Sequence, residues 1–147
     1  MVVGTSHHSH EERAELASMA NPPATTPEGL HLHRWANVGG LDDVAPALAA
    51  GAEGIGLFRT EFLITGRQTL PSDDEQSDIY RRVLEATGKR MVVIRTFDIG
   101  GDKDVPALGL RLEANPFLGY RAIRIGLDHP ELLQVQLRAI LRAACGG

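Results

Sequence analysis

From residue 30 onward the apolar positions fall into alternating short runs and helical stripes. Leu32-His33-Arg34-Trp35-Ala36-Asn37-Val38 reads as a strand, broken by Gly39-Gly40 before a helix that opens at Asp42 or Asp43 and ends at Gly51. Asp can cap the free N–H groups of a first turn, Pro46 is tolerated there, and Gly51 suits the residue just past the helix. Gly54 to Arg59 reads as a second strand, with Ile55, Leu57 and Phe58 between a glycine start and the charged exit Arg59-Thr60-Glu61. An apolar run of that kind fits a strand covered on both faces, as parallel sheets require. Pro71 followed by Ser72-Asp73-Asp74-Glu75 is a capping-box signature, and Ile79, Val83, Leu84 and Ala86 form a helical stripe up to Gly88. Met91-Val92-Val93-Ile94 opens a third strand that runs to Thr96 and again ends in Arg-Thr, here Arg95-Thr96. A last helix begins near Asp128 and Pro130 and is expected to bury Leu133, Leu137, Ile140, Leu141 and Ala144. Arg138 and Arg142 lie late in it, where cations favour the dipole.

The order strand, helix, strand, helix, strand, helix predicts an α/β fold with a parallel sheet, because parallel neighbours need crossover helices. The strands around Trp35, Leu57 and Val93 are therefore expected side by side and parallel, with Arg59 and Arg95 at the same end. Barrel and open sheet both fit this order. Charged residues at the C-terminal ends of successive strands favour the barrel, where sites are assembled from several strands at once.

Those arginines are the candidate chemistry. A guanidinium stays charged and is costly to bury alone, so it needs a carboxylate, a solvent opening or a bound anion. Two readings follow: an anion site, or structural ion pairs of Arg59 and Arg95 with Glu61, Asp98 or Asp102. Gly51-x-x-Gly54-x-Gly56 lacks the dinucleotide fingerprint and lies within a strand, and no P-loop is present. Gly100-Gly101-Asp102-Lys103 offers backbone N–H groups and an ammonium to a phosphate, and reads equally well as a plain loop.

Residues 1–29 form a polar arm and linker: His7-His8-Ser9-His10, a charged run expected to be briefly helical around Glu11 to Met19, then the Pro-rich Asn21-Pro22-Pro23 to Gly29. Gly4-Thr5-Ser6-His7 is similar to the setting of a phosphorylatable histidine, but no helix pattern follows it directly. Clustered histidines invite a metal reading, yet in a polar arm they are ordinarily solvated, and His31 with His33 lacks a visible third ligand, so no metal site is assigned. The chain of 147 residues carries 43% hydrophobic and 23% charged residues, enough for one domain with a core. A formal net charge of −4 argues against nucleic acid or an anionic membrane as partner. The single cysteine, Cys145, excludes an intrachain disulfide and favours a cytoplasmic location. No apolar stretch approaches the roughly 20 residues needed to span a bilayer.

Three ordered motifs carry a family resemblance: Gly51 to Leu63; Arg95-Thr96-Phe97-Asp98-Ile99-Gly100-Gly101-Asp102-Lys103; and Asn115-Pro116-Phe117-Leu118-Gly119-Tyr120-Arg121-Ala122-Ile123-Arg124. Together they resemble the phosphoenolpyruvate-binding (β/α)8 barrel of the phosphoenolpyruvate-protein phosphotransferases, enzyme I of the bacterial sugar phosphotransferase system. Pyruvate phosphate dikinase and phosphoenolpyruvate synthase share the barrel but match the Gly-Gly-Asp-Lys stretch less well. A non-catalytic module that binds a partner is the reading from another class. The enzyme I resemblance implies that Arg59, Arg95 and Arg121 hold the substrate's phosphate, with Asn37, Asp98, Lys103 and Arg124 in support. It further implies Mg2+ in the full-length family, a histidine-containing phosphocarrier protein and a homodimer partner. The magnesium ligands and the catalytic cysteine of the family fall on later strands, so this chain is expected to hold residues 30–147 as about three of eight strand-helix units and to be inactive alone.

Overall fold

The computed structural model describes residues 22–100, 105–109 and 118–145. The helix expected around Glu11 to Met19, His7, His8 and His10, and the Gly101-Asp102-Lys103 and Asn115-Pro116-Phe117 stretches lie outside the described residues. Three strands, β1 (Trp35–Val38), β2 (Gly54–Phe58) and β3 (Val92–Ile94), form one sheet in the order β1-β2-β3. Both pairs are parallel, as the alternation of elements predicts. A 3-10 turn (Leu41–Asp43) and α1 (Val44–Ala49) connect β1 to β2, and α2 (Asp73–Thr87) connects β2 to β3; α3 (Ile123–Asp128) and α4 (Pro130–Ala144) follow. None of the helices among the described residues is long and apolar enough to cross a membrane.

The strand before Trp35 is shorter than its pattern predicts. Leu32 N–H bonds the Ala24 carbonyl at 2.7 Å and His31 bridges Thr25, so the backbone there is occupied by the linker and not by the sheet. Asp43 does not cap α1 either: its Oδ2 accepts from the Gly39 N–H at 2.8 Å, closing the turn after β1. The cap of α2 forms as expected, Ser72 Oγ accepting from the Glu75 N–H at 3.2 Å. Glu75 spends its carboxylate on Arg67 at 2.7 Å. Gly51 (φ +88°) and Gly88 (φ +67°) end α1 and α2 in the positive-φ region that glycine enters without strain.

The largest departure is the face α4 buries. Leu132, Gln136, Ala139 and Ala143 turn inward, whereas Leu137 and Leu141 are 43% and 65% exposed and Ala144 is exposed. The helix is rotated because it lies close against α2 through alanines and delivers Gln136 to the strand ends, where a backbone N–H needs an acceptor. A similar substitution of polar for apolar occurs on α2, whose buried face is Gln76, Tyr80, Val83 and Thr87, with Ala86 exposed. Arg138 and Arg142 reach Asp73 (3.6 and 2.6 Å), and Arg142 also meets Asp74 at 2.8 Å.

The core, including Val38, Val44, Ile55, Phe58, Tyr80 and Val83, lies between the sheet and these helices. The opposite face of the sheet carries Trp35, 44% exposed, over Gly56, and Val93, 41% exposed. Gly54 marks the closest approach of strands: a Cβ there would sit 2.7 Å from the Met91 carbonyl oxygen, the acceptor for the Ile55 N–H. Gly54→Ala is expected to destabilise the chain by about 2 kcal/mol through this backbone clash, while Gly40→Ala, where a Cβ meets nothing within 4 Å, shifts stability by under about 0.5 kcal/mol. Urea denaturation of both variants checks this, and equal midpoints would remove the close-approach argument.

Candidate functional site

Parallel pairing brings the two strand-terminal arginines to one end of the sheet. The Arg59 N–H bonds the Val38 carbonyl at 3.0 Å, and the Arg95 N–H bonds the Phe58 carbonyl at 3.1 Å, so both continue the ladder past the C-terminal ends of β2 and β3. Thr60 Oγ1 donates to the Arg95 carbonyl at 2.8 Å and locks the two exits together. The chain then turns through Glu61–Leu63, which returns the buried Glu61 carboxylate over the strand ends.

Glu61 Oε1 lies 2.6 Å from Arg95 Nη2 and accepts from the Asp98 N–H at 3.3 Å. Asp98 bridges two arginines: its Oδ2 is 3.4 Å from Arg95 Nη1, and its Oδ1 accepts from Arg121 Nε at 3.1 Å and Nη2 at 2.8 Å. Arg121 is placed by an antiparallel bridge to Gly100 and by the Ala122 N–H bonding the Ile99 carbonyl at 2.8 Å. Ala122 itself has φ +51°, a conformation costly for a residue with a Cβ, immediately after the arginine it positions.

Among the described residues the ion-pair reading holds for Arg95 and not for Arg59. Arg95 and Arg121 are ion-paired, Arg95 with Glu61 and Asp98, while Arg59 has no ion-pair partner among the described residues. Three guanidinium groups against the two carboxylates leave one positive charge on these five side chains. Arg59 Nη2 lies over Gly39, where an added Cβ would stand 2.8 Å away. Arg95 Nε is buried with no acceptor among the described residues. The exposed Arg59 guanidinium and the buried Arg95 Nε–H are both donors from which an oxyanion can accept.

The supporting residues divide. Asp98 is the bridging carboxylate, and Asn37, exposed on β1, makes no side-chain hydrogen bond among the described residues. Arg124 does not join the cluster: its Nη1 donates to the carbonyls of Leu118 (3.1 Å) and Gly119, bracing its own loop. Lys103 lies outside the described residues.

Sequence reasoning missed Gln136. Its Nε2 donates to Thr60 Oγ1 at 3.2 Å and to Tyr80 OH at 3.1 Å, and its Oε1 accepts from the Phe97 N–H at 2.9 Å. Tyr80 OH donates to Gln76 Oε1 at 3.2 Å, and Gln76 Nε2 donates to the Pro71 carbonyl at 3.1 Å. Burial pushes the Tyr80 hydroxyl up to about 12, so it remains a donor throughout the neutral range. The one signal available was a glutamine four residues after Leu132 and three before Ala139, on an otherwise apolar face.

The family described as "PEP-utilising enzyme, PEP-binding domain" matches residues 13–147. The phosphoenolpyruvate-protein phosphotransferase of Bacillus subtilis (strain 168) is 51% identical over 136 residues, covering 92% of this chain and 24% of the relative. That of Haemophilus influenzae (strain ATCC 51907 / DSM 11121 / KW20 / Rd) is 53% identical over 137 residues, 93% of this chain and again 24% of the relative. The chain thus spans about a quarter of the length of these relatives. With a match running from the polar arm through α4 and taking in all three arginines, the chain belongs to the PEP-utilising enzyme family, within its PEP-binding domain.

Proposed function

We propose that residues 30–147 form the first part of a phosphoenolpyruvate-binding (β/α)8 barrel, in which Arg59, Arg95 and Arg121 take the phosphate of phosphoenolpyruvate. The observation that carries this reading is that Arg59 and Arg95 leave the C-terminal ends of neighbouring parallel strands, with Arg121 joined to Arg95 through Asp98. The sheet supports the barrel: the helices pack on one face, and the other presents Trp35 and Val93, apolar residues suited to a barrel interior.

In the whole enzyme, on this reading, the phosphoryl group passes from phosphoenolpyruvate to a protein histidine and onward to a histidine-containing carrier, in the cytoplasm. The arginines bind the phosphate bidentately and neutralise charge on the group in flight. Their mutual carboxylates hold Arg95 and Arg121 in place without cancelling Arg59. This chain supplies that binding contribution.

The carboxylates at this end do not fit the Mg2+ that the family implies. Asp98 has both oxygens on guanidinium groups, and Glu61 Oε1 is held by Arg95 and a backbone N–H, whereas magnesium wants several oxygens free of competing cations. No step of the reaction is assigned to an ion held by these residues.

Calorimetric or NMR titration tests the reading. The chain should bind phosphoenolpyruvate and inorganic phosphate with affinity on the order of millimolar, about −4 kcal/mol, weakening as salt is raised. Gly39→Ala should weaken binding about fivefold without altering any charge, because the new Cβ displaces the Arg59 guanidinium from its place 2.8 Å away. Binding that ignores both salt and this substitution would sink the arginine assignment.

A further inference from the structure

We propose that His31, His33 and Glu53 form a binding site for a divalent transition-metal ion of the zinc class, at the end of the sheet opposite the arginines. The histidines precede β1 and Glu53 precedes β2, and the Glu53 N–H bonds the Arg34 carbonyl at 2.8 Å, so the two segments are already in register. His31 Nε2 and His33 Nδ1 both contact Glu53 Oε2, at 2.8 and 2.9 Å, and the three ligand atoms all lie within 4.8 Å of one another. The rings meet edge to face, with centroids 4.7 Å apart at 81°, which lets two nitrogens converge without the rings colliding.

Zinc bonds of about 2.0–2.1 Å in a tetrahedral site place neighbouring ligand atoms about 3.3 Å apart. The nitrogen–oxygen distances must therefore open by about half an ångström, which side-chain rotation supplies because all three side chains reach solvent. Two imidazoles and one carboxylate select a zinc-like ion over magnesium or calcium, which require mostly oxygen donors. Water completes the fourth position.

Hydrogen bonds from His31 and then His33 hold the Glu53 carboxyl down at about 2, so the carboxylate is ionised at neutral pH. Arg34 Nε stands 3.6 Å from the other carboxylate oxygen, Oε1, and its charge limits the affinity. In the metal-free protein both ring nitrogens are held by Glu53 Oε2, and ion binding replaces those hydrogen bonds. The ion would staple the segment before β1 to the start of β2. This site is independent of the arginine reading.

The test uses the full chain in the background His7→Asn, His8→Asn, His10→Asn, so that the clustered arm histidines contribute nothing to the titration. Zinc titration by calorimetry, with cobalt absorption as the second readout, should give one saturable site at micromolar affinity and a zinc-dependent rise in melting temperature. His33→Asn and Glu53→Gln should each weaken it by about tenfold or more. The melting temperature in chelator should stay unchanged for His33→Asn, since His33 is 65% exposed at its side chain, which separates lost binding from unfolding. Loss of all binding in the arm background, or unchanged affinity in both further variants, would overturn the proposal.

Discussion

Gln136→Leu is expected to lower the stability of the chain by about 2–3 kcal/mol, although it replaces a polar side chain in the core with an apolar one of similar volume. Gln136 is fully buried and serves three partners at once: the Phe97 N–H, the Thr60 hydroxyl and the Tyr80 hydroxyl. Leucine removes the acceptor from the Phe97 N–H, whose hydrogen bond is buried, at about 1–3 kcal/mol. The two hydroxyls fare better. Each still donates, Thr60 to the Arg95 carbonyl and Tyr80 to Gln76, and loses only an incoming bond worth about 1 kcal/mol or less. Gain from burying the added methyl groups offsets part of this, so the total rests chiefly on the orphaned N–H. Leu137→Gln, one position along the same helix and largely outside the core, should shift stability by under about 0.5 kcal/mol. Equilibrium unfolding decides the matter, and a Gln136→Leu variant as stable as the parent would show that the network is decorative.

That glutamine also shows where a sequence stops being legible. Strands, crossovers and the paired arginines were readable because each rests on a local rule: an apolar run sets a strand, a crossover helix sets parallel pairing, and Ser72 and Gly88 set the bounds of α2. The rotation of α4 was not. Leu137 and Leu141 are more apolar than Gln136, Ala139 and Ala143, which are buried instead, and the Phe97 N–H beyond the end of β3, a feature of tertiary structure, draws Gln136 inward and turns those two leucines out. The same holds for the site. Arginine at two strand ends announces an anion or a counter-ion, but the division of labour between Arg59 and Arg95 depends on where the turn at Glu61 returns its carboxylate. Glu53 joins the two histidines for a like reason, through strand register 20 and 22 residues away.

That division of labour predicts that Arg59→Ala and Arg95→Ala separate binding from stability. Arg59 is exposed and has no ion pair among the described residues, so its removal should change stability by under about 0.5 kcal/mol while weakening phosphate binding about tenfold. Arg95 is the counter-ion of Glu61, whose side chain is only 9% exposed, and it shares Asp98 with Arg121. Its loss leaves a nearly buried carboxylate without its guanidinium, at a cost of about 2–3 kcal/mol, below the full figure for a buried pair because Arg95 itself is partly solvated. Adding Glu61→Gln to Arg95→Ala removes the stranded charge and should restore more than half of that stability. It should not restore phosphate binding, because the arginine remains absent. Unfolding midpoints and phosphate titrations on the two single variants and the double variant give both quantities. Recovery of binding together with stability in the double variant would mean that Arg95 acts on the anion only by keeping the fold intact, leaving Arg59 and Arg121 as the phosphate ligands.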